Sequence, residues 1–396
     1  MSAPRLSVPL WLLVLITLSG TLGMHMFVPA LPQAARDLGT SPGEMQLTIS
    51  LYIAGLGAGQ LFYGPLSDAF GRRPLLLTGL ALYAVAGVVA ALSSGVHALI
   101  AARLLQALGG CAGLVLGRAI VRDTAHADDA LRKLALLNLM TLFGPGLAPI
   151  VGAFVGTHAG WRSIFYLLAT MGALAFVCTA RLLPETARPA GTLSTGKLLR
   201  DYGTLLRSPV FSGFAFGGGC ATTSFYAFLA AGPFIFADQL HRPATELGVS
   251  VALLMVGVSV GNFGGARLAR RFSARQVLMG ANLLSLGSAV ALLAVGVSGH
   301  LSVVAVVGLM FLFTIGAGAS SPIALASAIS VDARLTGSAA GLYGFAQMSM
   351  GALCTALVSL GTNPAIAAGM VLTVMTVAAR VNFAMAHRYV GRALLD

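Results

Sequence analysis

The chain has 396 residues, of which 57% are hydrophobic and only 9% charged. About a quarter of a soluble domain is charged, so this composition cannot cover a water-facing surface and excludes a soluble globular protein. A formal charge of +12 would suit a nucleic-acid binder, but the placement of the basic residues, given below, excludes that reading.

Apolar windows of about 20 residues, the length that crosses a bilayer core, recur along the whole chain. The first half predicts spans over 10–28, 45–63, 74–93, 98–121, 133–155 and 162–183. The stretch 184–209, rich in Arg, Thr, Ser and Gly, reads as a linker. The second half predicts spans over 210–236, 246–266, 276–297, 302–328, 338–360 and 365–387. The expected organisation is a six-helix bundle over 1–183, a linker over 184–209 and a second six-helix bundle over 210–396. Long apolar runs in place of short alternating ones indicate helices and not a barrel. The 49 glycines suit close helix packing in lipid. The first span is too long for a signal peptide and lacks a small-residue cleavage site, so it reads as a retained helix. Cys111, Cys178, Cys220 and Cys354 fall inside apolar spans without metal-like spacing and read as small buried hydrophobes.

Charge predicts orientation. With the N-terminus inside, the alternating loops place only Arg36, Arg162 and Arg242 outside, while Arg103 and Arg380 lie within spans. All the other basic residues of the 24 fall on the inner side. Such a bias follows the positive-inside rule. The basic balance is therefore a topogenic signal, and both termini are expected in the cytoplasm. The halves also echo each other: residues 66–73 align with 268–275 at an offset of 202, as expected of a repeat-built transporter.

Four stretches carry chemistry. The loop Gly64-Pro65-Leu66-Ser67-Asp68-Ala69-Phe70-Gly71-Arg72-Arg73 is a charged turn between two membrane-length spans. Gly64 and Gly71 permit a tight turn, and Asp68 and Arg72, four apart, can pair. In the fourth span, Arg103-Leu-Leu-Gln106-Ala-Leu-Gly109-Gly110 places an arginine inside the membrane, where it faces a cavity or a partner, or else snorkels to the edge. In the fifth, Gly144-Pro145-Gly146-Leu147-Ala148-Pro149-Ile150-Val151-Gly152-Ala153 predicts a bent helix that lets a neighbour approach. The first ends in Met24-His25-Met26-Phe27-Val28-Pro29-Ala30-Leu31-Pro32.

Together these stretches resemble the major facilitator superfamily, and within it the twelve-helix drug:proton antiporters of the bicyclomycin/chloramphenicol-resistance group. The resemblance implies an all-α membrane protein with the major facilitator fold: twelve transmembrane helices in two six-helix bundles related by pseudo-two-fold symmetry. In that family the loop with Gly64, Asp68, Gly71, Arg72 and Arg73 is a cytoplasmic gate, and Asp123, after Arg118-Ala-Ile-Val-Arg, matches the acid that completes its charge relay. Arg103 and Gln106 match a motif linked to proton coupling. Gly144, Pro149 and Gly152 match the antiporter signature Gly-x-x-x-Gly-Pro-x-x-Gly-Gly, while Ala148 and Ala153 replace two of its glycines.

One departure bears on mechanism. The group reads Asp-Met-Tyr-Leu-Pro-Ala-Leu-Pro in the first span, and here His25 stands where the Asp belongs; Thr17 occupies the place of a second acid. All twelve Asp and Glu fall in loops, span ends or the C-terminus. A proton-coupled carrier needs a group that binds and releases a proton, and an imidazole titrates near neutrality. His25 therefore reads as the proton carrier; as a residue that only hydrogen-bonds substrate or backbone; or as a bystander in a protein that is uncoupled or coupled through an acid at the cavity mouth. Tyr52, Asn138, Phe225, Tyr226, Phe228, Asn262, Phe345 and Gln347 are candidate cavity residues. Aromatic walls with sparse polar groups suit an amphipathic molecule, and with no acid among them neutral phenicol-type substrates fit better than lipophilic cations.

The expected function is proton-driven export of small amphipathic drugs across a bacterial inner membrane, by a monomer without cofactor, metal or nucleic acid. The other reading is transport of a natural metabolite with weak or no proton coupling. An intramembrane enzyme would need a nucleophile–base pair or matched metal ligands, which the sequence lacks.

Overall fold

The computed structural model describes residues 8–124, 127–187, 191 and 195–393. Among the described residues there is no strand, and twelve long helical segments follow one another along the chain. Ten have the length and hydropathy to cross a bilayer: Leu10–Asp37, Arg72–Leu92, Val96–Thr124, Trp161–Leu182, Pro209–Gln239, Ala244–Leu268, Ala274–Ser298, Val303–Ile329, Thr336–Ser359 and Pro364–Tyr389. Pro42–Phe70 and Ala127–Ala159 complete the set. These are spans 1 to 12 in chain order. The end of the molecule carrying the polar stretch between spans 6 and 7 is here termed the linker end, and the opposite end the far end.

Breaks in the helices follow the residues that cannot continue them. Span 1 is α-helical over Leu10–His25, makes one 3₁₀ turn over Val28–Ala30 and resumes over Leu31–Asp37. Pro29 and Pro32 lack the N–H that an uninterrupted helix would bond. The span thus continues nine residues beyond its expected end, and His25 sits at the break. Span 2 is helical through Gly64 to Phe70. Gly64 therefore makes no turn, contrary to the sequence expectation: the reversal falls at Gly71 alone, whose φ is 99°. Only glycine adopts that conformation readily. Ser41 opens span 2 with a reciprocal capping box to Glu44, and Ser273 opens span 9 with one to Gln276. The linker holds a helix, Thr195–Arg207, that the sequence reading did not separate. Its Tyr202 hydroxyl donates to the Leu61 carbonyl at 3.2 Å, and burial raises the phenol above its ordinary value.

The offset of 202 holds in three dimensions. Pro42 and Ala244 open spans 2 and 8, and Arg72 and Ala274 open spans 3 and 9. Hydrogen bonds repeat too. Trp161 Nε1 donates to Asp37 Oδ2 at 2.9 Å, tying spans 1 and 6. At the equivalent positions Gln239 Nε2 donates to Asn363 Oδ1 at 2.9 Å, tying spans 7 and 12.

The first six spans meet the last six mainly through spans 2 against 11 and 5 against 8. Small residues permit the approach. A Cβ on Gly43 would collide with the Ser359 carbonyl oxygen, one on Gly57 would lie 3.0 Å from Met348 Cβ, and one on Gly248 would lie 2.9 Å from the Pro149 carbonyl oxygen. Apolar side chains such as Val85, Phe154, Val249 and Val304 cover the exposed perimeter, where a bilayer supplies the solvent.

Candidate functional site

The most deeply buried charge is Arg103 on span 4, which has no solvent exposure. It does not snorkel. Its Nη1 donates to the Gly23 carbonyl at 2.7 Å and to Gln106 Oε1 at 2.8 Å. Its guanidinium lies 3.9 Å from the Tyr52 ring centroid and 5.6 Å from those of Phe27 and Phe165, a cation–π cage. Nε and Nη2 of Arg103, Nε2 of Gln106 and the Tyr83 hydroxyl are buried without a partner. Tyr52, expected in the cavity, is instead fully buried beneath this guanidinium and donates to the Gly20 carbonyl at 2.8 Å. A cation held two residues from a helix break needs nearby electron density, and an aromatic ring supplies it where no acid is present.

His25 is 4% exposed, and its Nδ1 lies 2.9 Å from the Thr21 carbonyl oxygen. That contact fixes Nδ1 as the donor in the neutral ring and leaves Nε2 as the acceptor. The Arg103–Gly23 bond anchors span 4 to the same turn of span 1 that carries His25.

At the linker end Arg72 gathers the charged loop. Its Nη1 lies 2.6 Å from Asp68 Oδ1, and its Nε donates to Asp123 Oδ2 at 3.0 Å. Nη1 also donates to the Ser67 hydroxyl. Sequence reasoning missed Glu185. Its carboxylate accepts from the backbone N–H of Arg72 at 2.9 Å and of Arg73 at 3.2 Å, and from the N–H of Thr186 and Ala187. It thereby caps span 3 from the end of span 6. The only signal was an acid directly after Pro184, indistinguishable in sequence from a solvated loop residue. Arg73 Nη2 donates to the Ala180 carbonyl at 2.7 Å.

Span 5 packs its small residues on span 1. A Cβ on Gly152 would collide with the Met26 carbonyl oxygen, and one on Gly144 would come within 2.7 Å of Leu18. Pro149 presents its carbonyl to Gly248 of span 8. The segment with Gly144, Pro149 and Gly152 thus touches both halves.

The aromatic candidates separate. Phe228 is fully buried and Phe225 nearly so. Tyr226 packs on Gly351, and Phe345 lies near Gly57 across the seam between spans 2 and 11. Gln347 Nε2 donates to Thr222 Oγ1 at 2.8 Å and its carbonyl accepts from Thr223 Oγ1 at 2.7 Å, joining spans 7 and 11. Asn262 is half-buried on span 8. The Asn138 side chain lies outside the described residues.

A pocket of about 440 Å³ opens at the far end between the halves. Spans 1 and 5 supply Gln33, Arg36, Gly152 and Thr157, and spans 7 and 8 with their connecting turn supply Phe236, Arg242 and Leu247. The sequence reading had not grouped these residues, because they come from four separate segments. Among the described residues no cluster of His, Cys, Asp or Glu could hold a metal ion.

Residues 13–355 match the model of the Major Facilitator Superfamily. An uncharacterised MFS-type transporter of Bacillus subtilis is 29% identical over 372 residues, covering 93% of this chain and 92% of the relative. A bicyclomycin resistance protein homolog of Haemophilus influenzae is 26% identical over 339 residues, with 85% of each chain covered. A chloramphenicol resistance protein of Pseudomonas aeruginosa is 35% identical over 246 residues, covering 61% of this chain and 57% of that one. Among solved structures, a bacterial homolog of the human lysosomal transporter Spinster, inward-facing and occupied, superposes with a TM-score of 0.74 over 96% of this chain and 95% of its own, at 13% identity.

Proposed function

The chain belongs to the major facilitator superfamily, and from that premise we propose that it is a proton-coupled exporter of small, neutral, amphipathic drugs of the phenicol type. It would work by alternating access in a bacterial inner membrane, with the linker end cytoplasmic. The division into bundles over 1–183 and 210–396 around a linker over 184–209 supplies the two bodies that rock. A likeness to relatives named for bicyclomycin and chloramphenicol resistance supports drug export over transport of a natural metabolite.

The observation that carries the reading is the pairing of His25 with a helix break. His25 is a buried titratable group at the point where span 1 changes from α to 3₁₀. Among the residues whose side chains are described, no Asp or Glu of the spans is buried. In this reading Nε2 takes up a proton when the cavity faces one side and releases it when it faces the other, and Arg103 of span 4, in its aromatic cage, supplies a fixed positive charge against the same turn. The Arg72–Asp68–Asp123 cluster, held by Glu185, acts as the gate of the linker end. Because Arg103 is the only buried charge near His25 among the described residues, the cavity disfavours cations.

The test is pH-gradient-driven chloramphenicol transport in proteoliposomes. His25→Ala should abolish accumulation against a gradient while leaving downhill movement, and full accumulation by that variant overturns the carrier assignment. In an efflux-deficient bacterium, His25→Asp should extend resistance to cationic compounds; an unchanged susceptibility panel counts against the cavity-charge account.

A further inference from the structure

Of the three basic residues that the sequence places on the outer side, two line one pocket. Arg36 comes from the end of span 1 and Arg242 from the turn between spans 7 and 8, so each half contributes one guanidinium. Arg36 is exposed, and no described residue bonds or pairs with its guanidinium. Arg242 Nε makes a loose ion pair with Glu246 Oε2 at 3.8 Å, beyond hydrogen-bond reach. No carboxylate lines the pocket. Asp37 is engaged by Trp161, and neither it nor Glu246 is among the lining residues. The remaining polar side chains of the lining are Gln33 and Thr157, and Ala237, Pro243 and Ala244 form its accessible apolar wall.

We propose that this pocket is a binding station for amphipathic organic monoanions, with a carboxylate seated on Arg36 and Arg242 and an apolar body against Ala237, Pro243 and Ala244. It rests on the proposed function only in taking the far end as the side of release. Guanidinium groups hold carboxylates through paired charge-assisted hydrogen bonds. Low-dielectric walls concentrate their field and raise the local concentration of anions while repelling cations. The volume of about 440 Å³ lies in the range of small-molecule sites, about 300–1,000 Å³. The station extends the transporter's reach from neutral molecules to those carrying one negative charge.

The test is calorimetric binding to the full chain in nanodiscs, with 4-tert-butylbenzoate against its amide, 4-tert-butylbenzamide. The carboxylate should bind about tenfold more tightly than the amide, and the preference should shrink with added salt. The double variant Arg36→Gln/Arg242→Gln should lose the preference and bind the two probes alike. Glu246→Gln removes a competing carboxylate and should tighten benzoate binding by up to about fivefold. Equal affinities in the wild type, or a preference that survives in the double variant, overturn the proposal, as does weaker benzoate binding by Glu246→Gln. Should the glutamine pair fail to fold, Arg36→Lys/Arg242→Lys retains the charge and should retain a carboxylate preference; its loss in a folded lysine pair also overturns the proposal. Chloramphenicol transport by the same preparations separates the two readings. Wild type that discriminates the probes but moves no drug keeps this site and loses the exporter assignment. Wild type that moves drug without discriminating loses this site alone.

Discussion

Arg103 is a buried charge whose net contribution to the stability of the fold is small. Two of its hydrogen bonds and one aromatic ring at 3.9 Å offset desolvation, yet Nε and Nη2 remain without partners. Removing a buried charge recovers its desolvation cost, which offsets the hydrogen bonds lost with it. Arg103→Met should therefore change unfolding free energy by no more than about 1 kcal/mol while drug transport falls at least about tenfold. Detergent unfolding beside proteoliposome flux checks both, and a variant that melts early would make Arg103 a structural residue. Tyr52→Phe, which deletes the bond to Gly20, should cost about 1 kcal/mol.

Glycines within the spans are not equivalent, and their neighbours decide which matter. Gly64 is helical, with no atom within 4 Å of where a Cβ would stand. Gly64→Ala should be neutral or stabilise by up to about 1 kcal/mol through helix propensity. Gly71 has φ 99°, and an added Cβ would meet the Glu185 carboxylate at 2.5 Å. Gly71→Ala should lower stability by about 1–3 kcal/mol and loosen the cap that Glu185 places on span 3. Gly152→Val would drive a side chain into the Met26 backbone, and overpacking of that kind costs about 1–3 kcal/mol. Thermal unfolding of the three variants should rank Gly64→Ala above the other two, and equal losses would contradict the contact geometry. The sequence made Gly64 and Gly71 look alike, because both flank a charged stretch. What separates them is backbone dihedral, which depends on where span 2 reverses into span 3 beneath the Glu185 cap.

The two halves are joined where small residues let backbones approach, so alternating access requires some of these seams to open. A Cβ on Gly146 of span 5 would lie 3.4 Å from Met255 Cβ of span 8, close to disulfide geometry. In a background lacking Cys111, Cys178, Cys220 and Cys354, Gly146→Cys/Met255→Cys should cross-link on oxidation. Transport should stop and recover on reduction. Undiminished flux in the oxidised form would mean that this seam stays closed throughout the cycle.

Composition and periodicity alone determined that the chain is helical and lives in a bilayer, and the echo of 66–73 at 268–275 pointed to a repeat at an offset of 202, which the helix starts bear out. Such properties arise from transfer of long apolar runs and from local backbone rules, which are written residue by residue. The pairing of Asp68 with Arg72 was legible for the same reason, as neighbours four apart. Only the tertiary structure decided that Tyr52 lies under Arg103, that Glu185 caps a helix begun more than a hundred residues earlier, and that Arg36 and Arg242 share a pocket. Those contacts join segments far apart in the chain. Their existence depends on the crossing of helices whose apolar faces are nearly uniform, so no sequence period marks which side turns inward.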